Sequence, residues 1–129
     1  MPGRDTSSGR ELESKIAELA VGLGLQVRRR VKVGRRLWGA VREIDVVVTD
    51  TQLRRSIGLE CKYQGVAGSA EEKIPATIRD IEAWPIPGLV VYEGVGFSTN
   101  MRSYLLSTGK AVAFNDLEDW LRLFFGIME

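Results

Sequence analysis

Glu60-Cys61-Lys62 sets a carboxylate and an ammonium two residues apart within Ile57–Gln64, a stretch that alternates as a β-strand does. Side chains change face at every strand residue. Ile57, Leu59, Cys61 and Tyr63 therefore share an apolar face, and Glu60, Lys62 and Gln64 share the other. Charges beside a buried sheet are costly unless they are paired or hold a metal. A second carboxylate, Asp45, sits between Ile44 and Val46 in the β-branched run Val41–Thr49. A turn at Asp50-Thr51-Gln52 makes the two runs an antiparallel hairpin and brings Asp45 beside Glu60 or Lys62.

Two carboxylates suit Mg²⁺, a hard cation that takes oxygen ligands and keeps several waters, with Mn²⁺ as a substitute. The main-chain carbonyl of Cys61 is a further ligand for it. Such a cation acidifies a bound water and offsets charge building on a phosphate. Lys62 then orients the attacking water or stabilises the transition state, and Gln64 positions the same water or a phosphate. Glu13, at the border of an apolar helix face, adds an outer contact through water. Each residue also has a plainer reading: Glu-x-Lys on a strand is commonly a surface ion pair, and a lone border glutamate a peripheral salt bridge. The chain has no histidine, which excludes Ser-His-Asp and Cys-His catalysis and imidazole-based zinc sites.

These residues need elements to hold them. Leu12, Ile16, Leu19 and Leu23 recur at helical spacing over residues 10–24, with Ser7 or Ser8 as the cap and Gly22/Gly24 as the end. Residues 25–33 read as a strand, residues 34–39 as a turn with Trp38 exposed, and residues 41–49 and 57–64 as two more strands. In the second strand strict alternation puts Glu43, Asp45 and Val47 on one face and Ile44, Val46 and Val48 on the other. A loop follows over residues 64–71. Ser69 and Glu72 fit a capping box, but Pro75 moves the start of the next regular helix to residues 72–75, with Ile74, Ile78, Ile81 and Trp84 as its stripe. Gly88–Tyr92 is a buried strand. A short helix capped by Ser98 or Thr99, a strand over 110–114 and a last helix over 116–128, capped by Asn115 and Glu118, complete the chain. The order implies an α/β fold, a central mixed β-sheet of about five strands flanked by helices. The last helix is apolar on more than one face and reads as a homodimer or homotetramer interface.

The 129 residues suit one domain over 10–129 after a disordered leader over 1–9. No apolar run approaches the ~20 residues that span a bilayer. A single cysteine points to a reducing cytoplasm. Net charge is +1 but uneven: residues 1–62 carry 13 Lys/Arg against 8 Asp/Glu, and residues 63–129 carry 5 against 9. Arg28, Arg29, Arg30, Lys32, Arg35 and Arg36 fall within nine positions. Such a cluster suits a DNA backbone, although a solvated edge that resists aggregation accounts for it as well.

Glu13, Asp45 and Glu60-Cys61-Lys62, on a helix, a strand and the next strand, resemble the PD-(D/E)XK nuclease superfamily, the restriction-endonuclease-like fold. Tyr63-Gln64 and Glu71-Glu72-Lys73-Ile74-Pro75 also resemble the stretch after the catalytic lysine in some prokaryotic and phage members. The likeness covers roughly residues 10–114. Ile44 stands where the motif often has proline. The resemblance implies divalent-cation-dependent cleavage of DNA, with metal ligands at Asp45 and Glu60 and a catalytic Lys62. Glu13 matches a helix-one glutamate of several branches, and Lys73 is placed to reach a phosphate. The expected activity is an endodeoxyribonuclease of restriction, homing or junction-resolving type. The alternative is a non-catalytic nucleic-acid-binding or assembly module that keeps the fold.

Overall fold

The computed structural model describes residues 8–35, 39, 41–65 and 74–128, with the side chain of Arg35 left aside. The expected leader up to residue 7, Trp38, Arg36, Lys73 and the Ser69–Glu72 capping box lie outside the described residues. The elements are α1 (Gly9–Gly22), β1 (Gln26–Arg35), β2 (Val41–Asp50), β3 (Arg55–Tyr63), α2 (Ile74–Glu82), β4 (Gly88–Glu93), α3 (Thr99–Ser107), β5 (Ala111–Ala113) and α4 (Leu117–Phe125). The expected α/β architecture is present: one five-stranded mixed sheet in the order β1-β2-β3-β4-β5, flanked by helices. β1, β2 and β3 run antiparallel, whereas β3, β4 and β5 are parallel.

Two apolar layers cover the sheet. On one face α1 and α4 bury Leu12, Ile16, Leu117 and Leu121 against Val46, Leu59 and Val91. On the other, α2 and α3 bury Ile74, Ile78, Ile81 and Leu105 against Val90 and Tyr92. β4 lies between the layers, which is why Leu89-Val90-Val91-Tyr92 is continuously apolar. Ile57 and Leu59 belong to the α1/α4 layer, with Cys61 and Tyr63 packed against it, as the alternation predicts. Burying each such Leu or Ile contributes about 1.5–3 kcal/mol.

The helix ends follow their capping chemistry. Ser8 Oγ accepts from the N–H of Glu11 at 3.1 Å, so α1 begins one residue inside the expected leader. Ser98 Oγ accepts from the N–H of Met101 at 3.0 Å. The expected Asn115/Glu118 box does not form: a 3₁₀ turn, Phe114–Asp116, leads into α4 without a side-chain cap. α4 stops at Gly126, whose φ of 67° is open to glycine. Most of its apolar stripe enters the core of its own chain, while Leu123 and Met128 stay exposed.

One departure from the sequence reading shapes the site. Val46 and Val48 lie in the α1/α4 layer, but Ile44, of the same parity, lies in the α2/α3 layer. β2 therefore turns over at Asp45. β1 turns with it, because Val27 packs on the first layer and Val31 and Val33 on the second, with Arg30 between them at a φ of +55°. Arg29↔Val46 and Val31↔Ile44 keep one register across the turn. The β1–β2 arm thus changes layers as a unit, at the level of a residue singled out for its chemistry.

Candidate active site at the split between two strands

The β2–β3 ladder runs from Asp50↔Arg55 to Val46↔Leu59 and stops there. β3 continues to Tyr63, paired from Gly58 onward with β4. Glu60–Tyr63 therefore have a neighbour strand on one side and an opening on the other. Gly58 N–H points to β4, bonding the carbonyl of Pro87 at 2.8 Å, so Cys61, three residues on, turns its N–H toward β2. There it donates to Asp45 Oδ2 at 2.9 Å. The N–H and C=O of one strand residue point the same way. The Cys61 carbonyl therefore faces the same opening.

Glu60 and Lys62 leave β3 on the α2/α3 face, opposite Leu59 and Cys61. Glu60 hydrogen-bonds with Asp45, and its carboxyl is pushed up from the usual 4.5 to about 8. Burial is the largest cause, followed by the hydrogen bond to Asp45 and the charge of Asp45; Lys62 pulls the other way. Burial and the neighbouring charge of Asp45 thus keep the proton on Glu60 at neutral pH. Asp80 of α2 adds a further negative field on Glu60. Its Oδ1 accepts from Arg42 Nε at 2.9 Å, tying α2 to the turned-over arm of β2. Sequence reasoning passed over Asp80 and Arg42. Asp80 borders the Ile78/Ile81 stripe as Glu13 borders its own, and that signal was available.

A hard divalent cation fits this donor set. Among the described residues no group of three or more His, Cys, Asp or Glu side chains converges; Asp45, Glu60 and the Cys61 carbonyl would offer such an ion oxygen donors alone. Such a cation would supply Lewis-acid polarisation of a phosphate and a lowered pKa for water.

The other expected site residues stand elsewhere. Glu13 is 4% exposed and belongs to α1, on the face opposite Glu60. Its Oε1 accepts from Arg29 Nε at 3.1 Å and its Oε2 from Arg30 at 3.5 Å. Arg30 also lies 3.9 Å from Glu43. The layer change at Arg30 is what lets two consecutive arginines reach one carboxylate. Glu13 thus ties α1 to β1 through this ion pair. Gln64 follows the end of β3 instead of extending its polar face. It is buried, its Nε2 donates to the Gly96 carbonyl at 2.8 Å, and its Oε1 has no partner among the described residues. It holds the 94–96 loop. Cys61, half-buried beside Asp45, Glu13 and Glu60, has its thiol pushed up, first by burial and then by those charges, away from the reactive thiolate. Arg28 and Lys32 are exposed on β1.

Beyond Lys62, the carboxyl ends of β3 and β4 and the start of the 3₁₀ turn line an open cavity of about 340 Å³. Tyr63, Glu93, Arg102, Phe114 and Asn115 are among the residues that line it. No helix among the described residues is long and apolar enough to cross a membrane.

Residues 4–119 match the family model of a PD-(D/E)XK nuclease superfamily domain. A crystal structure of a protein of unknown function, AF1548, superposes with a TM-score of 0.55 at 21% identity, over 79% of this chain and 56% of that one. At that identity the likeness concerns the fold, and the chain spans little more than half of that structure's length. No curated protein matches the sequence.

Proposed function

This chain belongs to the PD-(D/E)XK nuclease superfamily, and from that premise we propose that it is a Mg²⁺-dependent endodeoxyribonuclease. The observation that carries the reading is the Asp45–Glu60 acid pair at the mouth of the strand split, beside Lys62 and the carbonyl of Cys61. Asp45, Glu60 and that carbonyl would hold the cation, which supplies the polarisation and water acidification described above. Lys62 shares the face of Glu60. It places its ammonium against the phosphate oxygens, aligns the attacking water and balances the negative charge that grows in the transition state. Asp45 does two jobs: it offers one carboxylate oxygen to the site and fixes β3 with the other. Arg42 and Asp80 hold the turned arm of β2 against α2, keeping the split open.

Arg28 and Lys32 on the outer strand supply phosphate contacts that set the position of DNA without reading its bases. Arg30 reaches the same surface from its bond to Glu13, and Arg35, Arg36 and Lys73 complete the basic set. Cutting both strands of a duplex requires two such sites, so the active form is a homodimer or homotetramer, built through α4 where Leu123 remains exposed.

The test is a cleavage panel of linear, supercoiled, single-stranded, flap and four-way-junction DNA with Mg²⁺ or Mn²⁺. Cleavage of at least one substrate is expected, with Lys62→Ala abolishing it while binding in Ca²⁺ persists. No nicking of any substrate, or full activity in Lys62→Ala, rejects the reading.

A further inference from the structure

The cavity at the carboxyl ends of β3 and β4 has no part in the hydrolytic chemistry; it begins at Tyr63, which follows Lys62 and leaves β3 on the opposite face. Ligands of α/β sheets settle outside the carboxyl ends of parallel strands. At about 340 Å³ it lies at the small end of ligand pockets, about 300–1,000 Å³, the scale of one nucleotide. Its wall chemistry is sorted. Tyr63 and Phe114 give aromatic surface, and Asn115 gives an amide with both donors and an acceptor. Arg102 is fixed by two carbonyls, donating to Gly94 at 2.9 Å and Phe97 at 3.2 Å. Neutral carbonyls hold its guanidinium in place without cancelling its charge. Glu93, the acid in the lining, is matched by Lys15 at 3.4 Å, which also lies 4.6 Å over the Phe114 ring. The floor is built firmly: Gly94, at a φ of +122°, packs so tightly on the main chain of Gln64 that a Cβ there would overlap it.

We propose that this cavity receives one unpaired nucleotide of the DNA strand held at Glu60 and Lys62, its base against Tyr63 and Phe114, its edge at Asn115 and its phosphate toward Arg102. The inference rests on the nuclease reading for the strand's position and deepens it: the preferred substrate carries an unpaired or easily extruded nucleotide next to the cut. A paired base cannot enter, and extrusion costs least at mismatches, flaps and single strands.

The experiment measures binding in Ca²⁺, without cleavage, of two DNAs that differ only by one unpaired 2-aminopurine nucleotide. Stacking of a base on aromatic side chains predicts at least about fivefold tighter binding of the unpaired form, with quenched fluorescence. Asn115 is exposed, so Asn115→Trp fills the mouth without disturbing the core. It should remove the preference and the quenching while leaving fully paired DNA bound as before; Phe114→Ala, with its fold checked by circular dichroism, should do the same. Equal binding of the two DNAs, or a preference that survives Asn115→Trp, overturns the proposal. So does free dAMP that binds as tightly as the strand, since the pocket would then serve a free nucleotide. Absence of the preference in the unmodified protein with cleavage intact rejects the pocket alone; a preference without cleavage rejects the nuclease reading alone.

Discussion

The main-chain N–H of Cys61 donates to Oδ2 of Asp45 at 2.9 Å. Had the ladder continued past Val46↔Leu59, that N–H would have met the carbonyl of Ile44. Asp45 thus substitutes a side chain for a backbone partner at the point where β2 turns over. The two strands separate without leaving a half-buried donor unpaired. The same carboxyl group meets Glu60. Splitting the sheet and assembling the acid pair are one event.

Asp45→Ala should therefore lose activity and stability together. The Cys61 N–H loses its acceptor, which costs about 1–2 kcal/mol, and the cation loses a ligand. Urea denaturation should show the first effect and plasmid nicking the second, by a factor of about 10³ or more. Asp45→Asn can still accept the N–H, so it should recover most of the stability and none of the cleavage.

The proton on Glu60 makes cation binding depend on pH. Glu60 in the folded protein holds its proton up to about 8, against 4.5 in the unfolded chain. Without a divalent cation the folded state binds more protons across that window, so stability should fall as pH rises from about 4.5 to about 8 and level off above it. A cation favours the ionised form. Its affinity should climb over the same window, and binding should release up to one proton. Calorimetry in buffers of different ionisation enthalpy counts that proton, and thermal melts follow the stability. Glu60→Gln should flatten both pH profiles; a slope unchanged by it would assign the proton elsewhere.

The sequence shows the order of the elements and a mixed sheet flanked by helices, because stripes such as Leu12/Ile16 and Ile74/Ile78/Ile81 and the alternation of Ile57–Tyr63 are local signals. It also pairs Asp45 with Glu60 through the hairpin. What it hides is long-range. Period-two alternation puts Ile44 beside Val46, and only the packing of Val31, Val33 and Ile44 on the second layer reveals the turn between them. The same turn converts Arg29 and Arg30 from free cations to partners of Glu13. Gln64 lies one residue past the end of β3, and its amide donates to the Gly96 carbonyl, a long-range partner that alternation does not show.

Trp84 rests on two facing glycines of β3 and β4, Gly58↔Gly88. A Cβ at either one would lie 2.7 Å from the indole ring, and at Gly88 also 2.4 Å from Ile81. Gly88→Ala should destabilise by about 1–3 kcal/mol through overpacking, measured by chemical denaturation. The double variant Gly88→Ala/Trp84→Leu should recover part of that loss, since the smaller side chain makes room. α2 would also shift on the sheet in Gly88→Ala and carry Asp80 with it, so its cleavage should drop by more than the change in folded fraction.

Glu13 decides how much of the basic strand is offered to DNA. Its carboxylate is buried, whereas the side chains of Arg29 and Arg30 are 40% and 51% exposed, so the glutamate orders two cations whose charges still reach solvent. Glu13→Gln removes a negative charge and frees both guanidinium groups to follow phosphates. Each added phosphate contact steepens the dependence of log affinity on log salt by about 0.9. The variant should therefore bind duplex DNA more tightly at low salt, with a slope steeper by about one to two contacts, while losing about 1 kcal/mol of stability from the α1–β1 tie. Filter binding across a salt series, with Lys62 intact and Ca²⁺ present, separates this role from a catalytic one. If Glu13 served the cation, Glu13→Gln would weaken divalent-ion binding and cleavage and leave the salt slope unchanged. A steeper slope with unaltered ion affinity identifies Glu13 as the anchor of the DNA-facing strand.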